Sequence, residues 1–400
     1  MLTQFKLAQT QKVKNMRHVY NQIRQYGPIT KSEVIKKTGL TQTTCTRMIN
    51  DLLKENLIKE NGFATSSGGR KPIKYDVNEK LYFSIGIDLS RTYTKIILLD
   101  TRLNIMDTKS LPITKNTIPD DAIQFIHNSM DQMLTDHQIT KNQLAGIGVG
   151  SVEPFDREKG ILIDPLHFPN ETWKNVPIVN ALKEKWNTLV LLDSGINAAV
   201  LAEYQIGFNG TIGNMTYVIA GMGIRTGTMM NHHLLKVRPS QFSKFGDGHM
   251  VINPEGRPCI CGSKGCLHTY STIPTLQEEI IKSGKRRSIM NTASEDLHLE
   301  SIQDALKAGD RVSTEIVEEF GYYTGIGIAN MMTLLFSECI VLGGPMFYKL
   351  NTFYETVVKT ATDRLNVLYP GYEVQFRKGK LGEHATAIGA GSMVFDYYLN

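Results

Sequence analysis

Apolar residues return every three or four positions in three short stretches near the start of the chain, then give way to alternation. That change of period marks where helices yield to strands. Met16, Val19, Tyr20 and Ile23 predict a first helix, ended by Gly27-Pro28. Thr30-Lys31-Ser32-Glu33 is a capping box that opens a second helix with Val34 and Ile35 facing inward. Thr38-Gly39-Leu40 predicts a tight turn, and Thr41 caps a third helix whose inner stripe is Cys45, Met48, Ile49, Leu52 and Leu53. Two short helices separated by a glycine turn make a helix-turn-helix. Leu57-Ile58-Lys59-Glu60 then reads as a strand, Asn61-Gly62 as a turn and Ile73–Val77 as a return strand, which together predict a wing.

From Phe83 onward the pattern is that of an α/β body. Phe83, Ile85, Ile87 and Leu89 alternate, Ser90-Arg91-Thr92 turns the chain, and Thr94 to Leu99 returns it as a hairpin. A second hairpin runs from Thr216 to Ala220, turns over Gly221 to Gly227, and resumes at Thr228. Helical stripes fill the intervals: Ile123, Ile126, Met130, Met133 and Leu134; Val179, Leu182 and Trp186; Ala198 to Ile206; Val312, Ile316 and Phe320. Ile340 to Leu342 reads as a buried strand entering the turn Gly343-Gly344-Pro345. Two hairpin-opened halves of this kind predict a duplicated body.

Charge separates the two parts more sharply than the net value of +5 does. Residues 1–80 hold fifteen Lys and Arg against six Asp and Glu, while the remaining 320 hold 29 against 33. A basic module of residues 1–80 on a mildly acidic body of 81–400 points to a polyanion partner. The outer face of the third helix carries Gln42, Thr43, Thr46, Arg47 and Asn50, side chains able to bond base edges, thymine methyls and phosphates in a major groove. Between the wing strands, Ser66-Ser67-Gly68-Gly69-Arg70-Lys71-Pro72 suits an extended arm, with Arg70 and Lys71 entering a minor groove. Double-stranded DNA is therefore the expected partner, read by a homodimer or higher oligomer on a palindromic operator. No run of eighteen or more apolar residues occurs and the first fifteen residues are too polar for a signal peptide, so a soluble, cytoplasmic protein away from membranes is expected. On that expectation the glycosylation triplet Asn170-Glu171-Thr172 is a chance match.

Of five cysteines, three lie with a histidine inside eighteen residues: His249, Cys259, Cys261 and Cys266. Thiolate and imidazole are ligands that Zn²⁺ prefers, and four of them close a structural site. Gly262 and Gly265 allow the tight turns of a knuckle around the ion. Cys45 and Cys339 stand alone, as suits a reducing compartment.

Gly248-His249 followed by Cys259-Ile260-Cys261-Gly262-Ser263-Lys264-Gly265-Cys266-Leu267 resembles the motif of the ROK family of sugar kinases and transcriptional repressors. The resemblance extends over nearly the whole chain and implies an actin-like ATPase fold with a cleft between halves. In its repressor branch an N-terminal DNA-binding domain precedes the sugar-kinase-like body. The Gly-Gly-Arg-Lys-Pro string resembles the wing of those repressors, and Asn170 and Trp173 match the family's Asn-Leu-x-Trp segment near the sugar cleft.

Against the family's kinases, several chemical groups are changed. The first phosphate loop, Asp-x-Gly-Gly-Thr there, reads Asp88-Leu89-Ser90-Arg91-Thr92 here. The second, Gly-Thr-Gly-x-Gly-Gly-Gly, reads Gly221-Met222-Gly223-Ile224-Arg225-Thr226-Gly227. Glycines let backbone N–H groups approach phosphate oxygens, and both loops have gained side chains. The general-base position of Asn-Asp-x-Asn-Ala-Ala falls on Gly195, with Asp193 two residues earlier. Two sugar-binding glutamates fall on Gly246 and His268. The expectation is a non-enzymatic regulator, a repressor of carbohydrate genes, with a sugar or sugar-phosphate effector near Asn170, Trp173, His249 and His268. A sugar kinase with an added DNA module would need the groups that are changed. A regulator using its body only for dimerisation or protein contact would need no effector.

Overall fold

The stop and start signals of the first eighty residues appear as caps in a computed structural model, which describes residues 2–7, 10–65, 71–165, 167–236, 246–283 and 298–399. Helix α1 (Leu2–Leu7) precedes α2 (Gln11–Tyr26), which buries Met16, Val19, Tyr20 and Ile23. Strand β1 (Ile29–Thr30) leads into α3 (Lys31–Thr38), where Thr30 and Glu33 form the expected reciprocal capping box. The Thr41 side chain accepts from the Thr44 N–H and opens α4 (Gln42–Lys54), which buries Cys45, Met48, Ile49 and Leu52. Strands β2 (Ile58–Phe63) and β3 (Ile73–Val77) complete a three-stranded sheet in the order β1-β3-β2. The Asn61-Gly62 pair is not the turn. It lies inside β2, where the register against β3 shifts between Glu60 and Phe63 and Gly62 takes φ of +74°. The pairing of Phe63 with Ile73 carries the strand past this bulge, so the sheet overrides the local turn signal.

The described chain divides into two compact units, one formed by Met1–Gln205 with Thr386–Asn400 and the other by Ile206–Ala385. In the first, β4 (Phe83–Leu89), β5 (Tyr93–Asp100), β6 (Ile105–Pro112), helix α5 (Pro119–Asp136) and β7 (Leu144–Ser151) come in that order. A small hairpin, β8 (Phe155–Asp156) and β9 (Ile161–Leu162), precedes α6 (Ile178–Trp186), β10 (Val190–Ser194) and α7 (Gly195–Ala202). The sheet order is β10-β7-β4-β5-β6, antiparallel from β4 to β6 and parallel from β4 to β10. All seven residues of β4 are buried. Its odd positions, Phe83 to Leu89, join a core with α5 and α6. Its even positions face the C-terminal helix (Ala385–Leu399), which lies so close that a Cβ on Gly86 would stand 1.8 Å from the Ala387 carbonyl oxygen.

The second unit repeats the plan. Strands β11 (Met215–Ala220), β12 (Ile224–Met230) and β13 (His233–Leu234) are followed by α8 (Ile273–Lys282), α9 (Leu299–Lys307) and α10 (Arg311–Leu335). Then come β14 (Cys339–Gly343), α11 (Pro345–Lys349), α12 (Asn351–Leu368) and β15 (Gln375–Lys378). The order β13-β12-β11-β14-β15 has two antiparallel pairings on one side of β11 and two parallel ones on the other. That is the sequence of pairings around β4, so the duplication expected from the hairpins is present in the topology. The second hairpin turns more tightly than expected: Ala220 already pairs with Ile224, so Arg225 and Thr226 belong to a strand rather than to a loop. The helix expected over 198–206 ends at Ala202 and continues as a π-helical segment, Glu203–Gly207. Among the described residues no helix is long and apolar enough to cross a membrane.

Candidate functional site

The polar side of α4 is laid out by its own period. With Cys45, Met48, Ile49 and Leu52 turned inward, Gln42, Thr43, Arg47 and Asn50 are exposed and Thr46 is half-buried beside them. These five line one shallow concavity together with Asp51 and Lys54, two residues that the sequence reasoning passed over although they follow Arg47 and Asn50 at helical spacing. Asp51 is held by Lys12 of α2 at 2.9 Å, which ties the end of this face to the first helix. Lys71 is exposed just ahead of β3, and Phe63 at the far end of β2 is 65% exposed, an apolar wing residue also missed. Arg70 lies outside the described residues.

In the second unit the four knuckle residues converge. The ligand atoms of His249, Cys259, Cys261 and Cys266 all lie within 4.8 Å of one another. Cys259 Sγ is 3.3 Å from His249 Nδ1, and the Sγ atoms of Cys261 and Cys266 are 3.6 Å apart. A tetrahedral ion at usual bond lengths separates sulfur and imidazole ligands by about 3.5–3.8 Å, so the cluster is able to hold a metal and is compatible with a zinc knuckle. Burial and the two neighbouring thiols push the Cys266 thiol up to about 12, and a cation is what makes such clustered thiols ionise at neutral pH. Gly265, at φ of +64°, lets the chain pass where any Cβ would stand 1.4 Å from the Asn253 carbonyl oxygen. Arg257 pegs the knuckle: its guanidinium lies over Tyr270 and Phe320 and pairs with Glu279 and Glu319.

The kinase-like positions are occupied by interactions internal to the fold. Gly195 begins α7, and a Cβ there would meet Thr386 at 3.3 Å. Asp193 is buried, and its Oδ1 accepts from Arg157 Nη2 at 2.6 Å, from the Ser194 N–H and from Asn197 Nδ2. Arg157, unnoticed in the sequence, thus pairs with the Asp193 carboxylate. In the first loop Ser90 Oγ accepts from the Thr92 N–H, closing the hairpin turn with a side chain. Burial pushes the Asp88 carboxyl up to about 7, against the Tyr93 hydroxyl that donates to it and the charge of Lys95. In the second unit, the Arg225 side chain packs over Gly246, 3.3 Å from where a Cβ would stand. Asp247 beside it caps Thr226 through its N–H and hydroxyl.

The four effector candidates fall two to each unit. Asn170 donates to the Lys115 carbonyl and accepts from Thr172, which shapes its loop. Trp173 is 2% exposed, packed on Phe168 with its indole N–H on the Thr117 carbonyl. In the other unit His268 stacks on His249, ring centroids 5.1 Å apart.

Comparison with known proteins agrees with this layout. A winged helix-turn-helix DNA-binding family matches residues 14–59. The chain is 27% identical over 398 residues to the xylose repressor of Bacillus subtilis, covering 96% of each, and 25% identical over 330 residues to the DNA-binding transcriptional dual regulator NagC of Escherichia coli, covering 82% and 80%. Its fold is similar to that of a ROK family transcriptional regulator, a homolog of the E. coli MLC protein, with a TM-score of 0.77, 21% identity and 97% and 98% of the two chains covered. It is also similar to the ROK hexokinase of Thermus thermophilus, with a TM-score of 0.64 and 22% identity over 77% of this chain and 96% of that one. The ROK family profile itself matches residues 84–396, the whole body around the knuckle and both sheets, and the chain therefore belongs to the ROK family.

Proposed function

We propose that the chain is a transcriptional repressor of carbohydrate genes, which reads double-stranded DNA through residues 1–80 and senses a sugar or sugar phosphate in residues 81–400 without phosphorylating it. The exposed polar face of α4 over a sealed apolar stripe carries this reading. Gln42 and Asn50 have the amide geometry for adenine edges, Thr43 and Thr46 offer methyls to thymine, and Arg47 reaches guanine or phosphate. Arg70 and Lys71 follow into the minor groove. The names of the Bacillus and Escherichia relatives support a DNA-binding regulator and, for the first, a sugar signal. Asn170, Trp173, His249 and His268 are the residues to test for the effector, and the reading includes a cytoplasmic homodimer or higher homo-oligomer.

His249, Cys259, Cys261 and Cys266 hold Zn²⁺ in this reading, a four-ligand structural site with no open position for catalysis. Catalysis is argued against by Gly195 at the base position and by the Arg157 lock on Asp193. Loss of a general base alone lowers a rate by about 10²- to 10⁴-fold. Arg91 and Arg225, by contrast, are suited to grip a phosphate as binding groups.

The test is to select duplexes from a random-sequence pool with the full-length protein and to measure affinity against salt. The recovered site is expected to show dyad symmetry and steep salt dependence. Gln42→Ala, Thr43→Ala and Arg47→Ala should each erode preference at one position by about 1–3 kcal/mol. The triple variant should retain only non-specific binding. Undiminished selectivity in that variant, or turnover of any sugar with ATP and Mg²⁺ that disappears in Asp193→Ala, overturns the reading.

A further inference from the structure

The DNA-binding module is joined to the rest of the first unit by a half-buried polar chain that neither DNA contact nor metal binding requires. Arg24 on α2, its side chain 9% exposed, reaches Asp396 of the C-terminal helix at 3.4 Å. The other Asp396 oxygen accepts from Gln205 Nε2 at 2.8 Å, and Gln205 Oε1 accepts from the fully buried Ser392 hydroxyl. Arg24 also lies over the Phe395 ring, and Lys6 of α1 over the Tyr397 ring. Three segments far apart in sequence therefore share one carboxylate.

Where Gln205 sits gives this chain its meaning. It lies in the π-helical segment Glu203–Gly207, at the point where the polypeptide leaves the first unit, and the C-terminal helix is where it returns. Both covalent connections to the second unit thus end on Asp396 or on its helix. The C-terminal helix is not free to slide. A Cβ on Gly389 would stand 1.8 Å from the Ala198 carbonyl oxygen of α7, and one on Gly148 would stand 1.8 Å from the Ala390 carbonyl oxygen. Backbone packed this closely transmits a displacement instead of absorbing it. π-Helical insertions recur at functional sites, and re-registering one shifts the side chains around it.

We propose that Gln205 and Asp396 are positioning residues of a relay, in which the register of the π segment sets the seat of Arg24 and hence of α2 in the DNA-binding module. The relay rests on the reading of the chain as a DNA-binding regulator. Coupling is reciprocal, so DNA held by the module must be felt at the π segment. No effector is needed to see it.

The experiment is hydrogen exchange on the full-length protein with and without the duplex selected above, read on peptides covering 201–208 and the C-terminal helix. In the wild type, DNA is expected to change exchange of the 201–208 peptide about fivefold or more, the lower end of ordinary coupling. Gln205→Ala should still bind the duplex and melt near the wild type, with that change lost. Asp396→Asn should lose it as well, and if that variant does not fold, Gln205→Ala decides alone. A wild-type π segment indifferent to bound DNA, or a full response in Gln205→Ala, overturns the relay and leaves the regulator reading standing. Recovery of no duplex at all overturns the regulator reading, and the relay with it.

Discussion

Gly148→Ala tests how firmly the C-terminal helix is seated on the first sheet. The new Cβ would stand 1.8 Å from the carbonyl oxygen of Ala390 and 2.4 Å from its carbon. Carbon and carbonyl oxygen approach no closer than about 3.3 Å even in favourable contacts, so the helix must withdraw by about 1.5 Å. It carries Ala387, Ala390, Val394 and Phe395, all fully buried, and withdrawal loosens each of them. Extra volume in a packed core costs about 1–3 kcal/mol when side chains can give way. Here the obstacle is helical backbone, which cannot rotate aside, so a loss of about 3 kcal/mol is expected. A unit of this size loses about 2–4 °C per kcal/mol, which gives a drop of roughly 6–12 °C. Calorimetry on the full chain measures it. Gly39→Ala is the control: it has φ of +66° with nothing within 4 Å, so only left-handed strain of about 1 kcal/mol applies. A Gly148→Ala protein melting within about 2 °C of the wild type would refute the close seating and the transmission argued from it.

Two further outcomes concern the knuckle and the altered phosphate loop. Metal analysis should find one Zn²⁺ per chain, and Cys261→Ser should lose it and lower the melting temperature of the second unit; a metal-free wild type indifferent to chelator contradicts this. Asp88 holds its proton in the folded chain up to about 7, whereas an unfolded carboxyl releases it near pH 4. The folded state therefore binds more protons between those values, and this group's contribution to stability falls as pH rises from about 4 to 7 and is level above. Asp88→Asn should flatten that slope and be the more stable protein at pH 8, as denaturant titrations at several pH values will show; parallel pH curves would refute the assignment.

What the sequence determined by itself is local in origin. The Thr30/Glu33 box, the Thr41 cap and the inner stripe of α4 depend on residues within one or two turns, so they are legible from order alone and place the outer face of the reading helix. The knuckle was legible for the same reason, its four ligands lying in one short segment. The tertiary structure decided what depends on distant residues. Arg157 and Asp193 are 36 positions apart and Arg24 and Asp396 are 372 apart, and nothing near any of them announces its partner. Asn61-Gly62 reads as a turn locally, yet pairing with β3 carries the strand through it as a bulge. Only the packed sheet shows that Gly86 and Gly148 make room for the C-terminal helix. A cap or a ligand set is specified by neighbours along the chain, whereas a buried pair or a close backbone approach exists only once the fold has brought its two sides together.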